Sequence, residues 1–435
     1  MSSYIVTSIP KWTPSSIPTH TVLTSVAATH SSKLAQSLSS ATARLATETL
    51  TENIQSLTWI VRGAQASLTV ISAENVLATA TDSSVQARAT QAIFDATLNM
   101  KELVDEQNLY GYNLNTGANY FFLVVYGIIT LYFLLMCTIS RYHWFNITFF
   151  IGYGLEFLGF FGRIKSIHDV TNTNWYIMQF LPLTIAPAFI MAGIYFFLAQ
   201  LTVVYGRQFS KLRPMWYSYL FILCDIASLL IQAAGASISS NTSNSQKMEH
   251  IGLDIVIGGV SFQLLAMTIF ILLWLDFFRK VYFANNSDTA TMNATFKNYL
   301  RMLWSTDKAY NFQRNVREPY YNSKFADIRS RKLMRYFPLY VSISLVLIYL
   351  RCVYRIVEFA VGFSGFIVNH EAFLMVFDAM MISVAGCIYL CFHPVWVFGR
   401  HNVLKRKHIS KRKDVEEESK CSSENEMMKV FADPS

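Results

Sequence analysis

"NYFFLVVYGIITLYFLLMCTI", residues 119–139, runs 21 residues without a charged side chain. At about 1.5 Å per residue, a helix of that length crosses the roughly 30 Å hydrocarbon core of a bilayer. Six more apolar runs of comparable length follow, at 145–163, 177–203, 216–236, 251–277, 338–360 and 371–397. Each is bounded by polar or basic residues, and Trp144, Trp175, Tyr176, Trp216 and Trp396 stand near their ends, as interfacial aromatics do. The composition agrees. Of 435 residues, 53% are hydrophobic and 15% charged, which is not the balance of an ordinary soluble domain. The fold class expected is all-α: a polytopic bundle of seven transmembrane helices.

Seven crossings put the two termini on opposite sides. One set of connecting segments carries Arg141, then Arg207, Lys211 and Arg213, then the basic residues from Arg279 to Arg335, then those from Arg400 to Lys429. The short loops of the other set hold only Lys165 and Lys247. The positive-inside rule therefore places the N-terminus outside and the C-terminus in the cytosol. On this reading the net charge of +8 records topology and attraction to an anionic cytosolic leaflet, not a nucleic-acid partner. Asn241, in an exterior "NTS", is the expected glycosylation acceptor, while Asn285 and Asn293 fall in the cytosolic loop and stay bare.

Three regions follow. Residues 1–118 form a Ser/Thr-rich extracellular region, disordered over the first 30 residues and then partly helical. Leu50, Ile54, Leu57 and Val61, and later Val85, Ala89, Ala92, Ala96, Met100 and Leu103, recur at helical spacing, with a break near Gly63. Residues 119–397 hold the seven spans and a long cytosolic loop, 278–337, in which a surface-lying amphipathic helix is expected. Residues 398–435 form a tail that is first basic, in "KRKHISKRKD", and then acidic. The six cysteines fall in spans or cytosol, so no exterior disulfide is expected.

The chemistry lies in charges within the spans. Each costs on the order of 2.5–3.5 kcal/mol at mid-helix, so such residues face the bundle interior and pair. The second run carries Glu156 and Arg163 on one helical face. The fourth carries Asp225, Ser228 and Gln232, and the fifth Asp254 and Gln263. The sixth carries Arg351, Arg355 and Glu358, and the seventh Glu371, Asp378 and His393. With the N-terminus outside, nearly all of these lie in the outer half of the bundle. Two readings stand. In one, Glu156, Asp225, Gln232, Glu358 and Asp378 line a chamber for a polar or cationic headgroup, balanced by Arg163, Arg351 and Arg355. In the other, the same groups form internal ion pairs that lock helices together. Pro182 and Pro187 interrupt the third run and are expected to bend it and free backbone carbonyls. Gly235 and Gly258–Gly259 are expected to permit close helix contact. No phosphate-binding loop, HExxH motif or nucleophile triad is found, so neither a cofactor, a metal nor an enzymatic activity is expected. Cys387 and Cys391 are read as packing.

Taken together, "EFLGFFGR" (156–163), "LTIAPAFIMAGIYFFL" (183–198), "DIASLLIQAAG" (225–235), "GLDIVIGGVSFQL" (252–264), "RCVYRIVEFAVGFSG" (351–365) and "HEAFLMVFDAMM" with "HP" (370–381, 393–394) resemble the fungal RTA-like family of lipid-translocating exporters. Phe160 stands where members often carry tyrosine, and "GAS" at 235–237 where they carry a glycine run. The resemblance implies a seven-helix protein of the plasma membrane, or of the vacuolar or endoplasmic reticulum membrane. It also implies export of sphingoid long-chain bases or similar amphiphiles, with effects on lipid asymmetry and drug tolerance. A sphingoid base joins a cationic amine to an apolar chain, which suits an acidic chamber. The alternative is a seven-helix receptor-like sensor acting through cytosolic partners.

Overall fold

Residues 21–49, 51–239, 246–283, 295–361 and 366–399 are described by a computed structural model, and among them every regular element is helical. They fall into two compact units. Asn241, Asn285, Asn293, the first 20 residues and the basic-then-acidic tail lie outside the described residues.

The smaller unit holds α1 (Ser31–Leu45), α2 (Thr51–Thr79) and α3 (Ser83–Glu106). Asp82 caps α3 by accepting from the Ser84 amide at 3.0 Å. Alanines dominate the seam between helices: Ala66, Val70 and Ala73 pack with Ala89, Ile93 and Ala96. The expected break at Gly63 is corrected, because α2 runs straight through it. A Cβ there would sit 3.2 Å from the Leu103 side chain, so this glycine serves close approach, not interruption. Beside it, Arg62 reaches Glu106 at 2.9 Å and Asn99 at 2.9 Å.

The larger unit contains the seven helices long and apolar enough to cross a membrane. They are α4 (Thr116–Ile139), α5 (His143–His168), α6 (Thr173–Tyr205), α7 (Pro214–Ser239) and α8 (Gln246–Phe283), then α12 (Lys332–Val361) and α13 (Glu371–Val397). Three short helices intervene: α9 (Phe296–Leu303), α10 (Asp307–Phe312) and α11 (Ala326–Arg329). The protein is thus an integral membrane protein built as a helical bundle. The inner face of α4 (Phe122, Tyr126, Ile129, Phe133) is buried, while its outer face (Phe121, Val124, Ile128, Leu131, Leu135) is exposed and equally apolar. A helix hydrophobic all round is what lipid on one side and protein on the other requires. The interior is aromatic. Phe145 and Phe149 lie 4.1 Å apart between ring centres, and Phe133 stacks on Tyr153 at 5.9 Å.

Two expectations about backbone behave differently. α6 continues through both Pro182 and Pro187 as one helix. The two glycines of 258–259 separate. A Cβ on Gly259 would come within 2.8 Å of Gln232, and one on Gly235 within 2.8 Å of the Gly252 carbonyl, while a Cβ on Gly258 meets nothing within 4 Å. Gly235→Ala is therefore expected to lower stability by about 1–3 kcal/mol through overpacking against backbone. Gly258→Ala should gain up to about 1 kcal/mol from helix propensity. Thermal melting of the two purified variants checks this, and shifts of the same sign would remove the assigned α7–α8 seam.

The 278–337 segment is more than a surface helix. Arg317 is buried and donates to the Val281 carbonyl from Nε at 3.1 Å and Nη2 at 2.9 Å. Tyr321 donates to the same carbonyl at 2.9 Å, and burial pushes its hydroxyl above the ordinary range, which keeps it a donor. Arg329 donates to the Val204 carbonyl at 2.6 Å and pairs with Glu318 at 2.8 Å. Val281 and Val204 belong to the last turns of α8 and α6, where carbonyls lack intrahelical donors and guanidinium groups are favoured. Two arginines that the charge pattern assigned to topology are thus structural staples.

Candidate functional site

The intramembrane charges gather into two linked clusters. At one end of the bundle, Arg163 on α5 pairs with Glu371 at the start of α13 and donates from Nε to the Asn119 side chain at 2.6 Å. Asn119 on α4 donates back to Glu371 at 2.8 Å, and the Asn115 amide donates to the other oxygen of Glu371 at 2.6 Å. Three helices are tied by one buried guanidinium and its carboxylate. Asn119 was not singled out in the sequence, because an uncharged polar residue at the edge of an apolar run carries no distinctive signal.

In the second cluster, Arg351 on α12 donates from Nε to Asp378 and from Nη2 to the Leu183 carbonyl on α6. The second contact has a specific cause. Pro187 has no amide hydrogen, so the carbonyl four residues earlier, that of Leu183, loses its helical donor. Arg351 supplies it. The expectation that the prolines free carbonyls thus meets its partner here. Arg355 pairs with Glu358 at 2.7 Å along α12 and stands 3.5 Å from Asp378. Asp378 itself sits in a π-helical stretch, Met375–Met380, within α13. Such stretches shift the register of side chains and leave carbonyls for other donors. Tyr126 donates to the Ala379 carbonyl at 2.7 Å and Tyr153 to that of Ile382 at 3.2 Å.

Glu156 on α5 is fully buried in the electrostatic neighbourhood of Arg351, Asp378 and Arg355. Among the described residues, neither of its carboxyl oxygens has a hydrogen-bond partner. Asp225 on α7 is buried and takes a hydrogen bond from the Tyr195 hydroxyl of α6, while its other oxygen has no partner among the described residues. One and two turns further along α7, Ser228 bonds the Asp225 carbonyl at 2.7 Å and Gln232 reaches Gln263 at 3.3 Å. The Cys352 thiol lies in the neighbourhood of Arg351, Asp225 and Asp378.

Asp254 does not join: it is exposed at the start of α8. Five carboxyl groups (Glu156, Asp225, Glu358, Glu371, Asp378) therefore face three guanidinium groups (Arg163, Arg351, Arg355). The Arg163–Glu371 and Arg351–Asp378 pairs join different helices, as one of the two sequence readings held. Glu156 and Asp225 stand outside these pairs, Asp225 with Tyr195 as a partner and Glu156 with no hydrogen bond to either oxygen among the described residues. His393 performs a separate task. Its Nδ1 accepts from the Val395 amide at 3.2 Å, so its Nε2 donates to the Asn146 side chain at 2.7 Å. Among the described residues no group of His, Cys, Asp and Glu is arranged to hold a metal ion.

The family model described as "RTA1 like protein" matches residues 149–401. The chain is 31% identical over 304 residues to the sphingoid long-chain base transporter RSB1 of Saccharomyces cerevisiae, covering 69% of this chain and 77% of that protein. Protoporphyrin uptake protein 1 of the same organism is 27% identical over 235 residues, covering 54% of this chain and 63% of that protein. Protein RTM1 of Saccharomyces cerevisiae is 23% identical over 245 residues, 56% of this chain and 65% of its own. No solved structure matches. The family match spans 149–401 and so takes in Glu156, Arg163, Asp225, Arg351, Arg355, Glu358, Glu371 and Asp378, and the chain belongs to the RTA1-like family.

Proposed function

We propose that this protein moves sphingoid long-chain bases, or amphiphiles of similar chemistry, across the bilayer toward the outer leaflet. The observation that carries the reading is Glu156, a fully buried carboxyl group in the middle of an ion-pair network that engages neither of its oxygens. A primary ammonium group offers three donors and one positive charge, which a carboxyl group so placed would accept. Asp225, Gln232, Glu358 and Asp378 would line its surroundings, with Arg163, Arg351 and Arg355 as balancing charges. The apolar tail would remain against the lipid-facing side chains. The relative RSB1 is named for transport of this class of molecule.

The reading carries further parts: an N-terminus outside, with residues 1–118 as an extracellular region and Asn241 glycosylated; residence in the plasma membrane; a role in drug tolerance and lipid asymmetry; contact of the cytosolic basic segments with anionic lipid; and activity without enzymatic chemistry. The test is reconstitution of the purified chain into liposomes carrying a fluorescent sphingoid base. Transbilayer movement should rise at least several-fold over protein-free vesicles. A second reading is favoured by the segment 295–331, which buried Arg317 and Arg329 hold folded against α8 and α6. Such a platform suits a sensor that recruits partners. No acceleration in liposomes, with cellular tolerance lost on deleting 278–335, would select the sensor and reject transport.

A further inference from the structure

The charges of the network balance without Glu156. Arg163 pairs with Glu371, Arg351 with Asp378 and Arg355 with Glu358, three bases against three acids. An ionised Glu156 would add one uncompensated negative charge at a fully buried position. The ionisable groups around it are Tyr126 on α4, Tyr153 on α5, Arg351 and Arg355 on α12 and Asp378 on α13. The donors among them are engaged elsewhere. Tyr126 bonds the Ala379 carbonyl at 2.7 Å and Tyr153 that of Ile382 at 3.2 Å. Arg351 bonds Asp378 and the Leu183 carbonyl, and Arg355 bonds Glu358 at 2.7 Å. Asp378 repels a second carboxylate. The two arginines attract one, but each already shares its charge with an acid it touches. Asp225, the other carboxyl outside the pairs, takes a hydrogen bond from Tyr195 and is not among these neighbours.

A carboxylate cut off from water, without a cation or a hydrogen bond of its own, is far costlier than the neutral acid. The empty site is therefore occupied by a proton on Glu156. An ammonium group brings the missing positive charge and makes the proton redundant. We infer that this protein exchanges one proton for each cationic amphiphile it carries, with Glu156 as the site the two share. The inference rests on the transport reading above and adds its coupling. As the cargo arrives, the O–H bond of Glu156 breaks, the proton passes to water on the side the cargo came from, and the ammonium takes up the carboxylate. On the far side a proton from water re-forms the O–H bond and the ammonium leaves. The network carries the same net charge in both states, and one positive charge crosses in each direction. The exchange is thus electroneutral, and an acidic exterior draws the cargo outward.

The test uses the full chain in liposomes with a pH indicator in the lumen and two cargoes, a fluorescent sphingoid base and its N-trimethyl derivative. The derivative has no proton to lose, so any proton that moves against it comes from the protein. With the lumen more acidic than the outside, the derivative added outside should accumulate in the inner leaflet by about tenfold for each unit of pH difference. The lumen should turn alkaline as it does so, and an imposed membrane potential should leave both effects unchanged. Infrared difference spectra of the unloaded protein at neutral pH should show the C=O band of a protonated carboxylic acid in the wild type that Glu156→Gln lacks, and the derivative should remove it. Protein-dependent movement that ignores the pH gradient, or that follows the potential, overturns the exchange and leaves transport standing. Movement confined to the primary amine puts the proton on the cargo and overturns the exchange as well. Identical spectra for the wild type and Glu156→Gln overturn the protonated resting state. No protein-dependent movement of either cargo rejects transport and the exchange with it.

Discussion

Arg351→Leu is expected to destabilise the protein by about 3–5 kcal/mol, the cost of removing one partner of a buried ion pair. The reason is that this guanidinium serves two acceptors that have little else. Asp378 would keep only Arg355 at 3.5 Å, and the Leu183 carbonyl would have no donor, because Pro187 cannot provide one. Arg351→Lys should recover only part of the loss, since an ammonium group cannot present the forked donors that reach a carboxylate and a carbonyl on different helices. Two second-site changes separate the two debts. Adding Asp378→Leu removes the stranded carboxylate and should restore at least half of the stability. Adding Pro187→Ala returns an amide to α6 that can bond Leu183, and should restore roughly 1–2 kcal/mol. Thermal melting in detergent, with yield after extraction as a second readout, checks the series. A wild-type melting point for Arg351→Leu would show that the α6–α12–α13 junction is not held in this way.

The reach of sequence reasoning ended where neighbours had to be chosen. The seven spans were legible because a bilayer imposes length and apolarity on each segment separately, whatever lies beside it. Their ends were less so: α12 begins at Lys332, six residues before its apolar run, because a helix can continue into water once started. The charged residues were legible as a set, since intramembrane charge is costly and therefore rare. Their pairing was not, since helical periodicity gives the face of a residue but not which helix that face meets. Glu371 and Asp378 read alike in sequence, yet one closes on Arg163 and the other on Arg351. The π-helical stretch around Asp378 leaves no mark in composition. Arg317 and Arg329 were read as topology signals because a basic residue in a connecting loop looks the same whether solvated or docked on helix carbonyls. Asp254 shows the converse: an acid at the start of a span looked interior and is exposed.

Glu156→Gln should abolish most transport while leaving the fold intact. The two halves of that expectation come from one observation. Because neither oxygen of Glu156 has a hydrogen-bond partner among the described residues, the amide breaks no bond seen in the structure, and melting should stay within about 0.5 kcal/mol of the wild type or rise. If the carboxyl group receives the ammonium of the cargo, the amide removes a charge-assisted contact of about 1.5–3 kcal/mol, a loss of at least tenfold in the liposome rate. Glu358→Gln makes the contrast. Glu358 already accepts from Arg355 at 2.7 Å, so its replacement should cost stability first and affect transport through that loss. Glu156→Asp keeps the charge and withdraws it by one methylene, and should fall between wild type and amide. Lengthening the amine linker of the cargo by one methylene should then favour Glu156→Asp over the wild type, an outcome that a purely structural carboxyl group would not produce. Wild-type rates for Glu156→Gln in folded, reconstituted protein would show that the headgroup is received elsewhere.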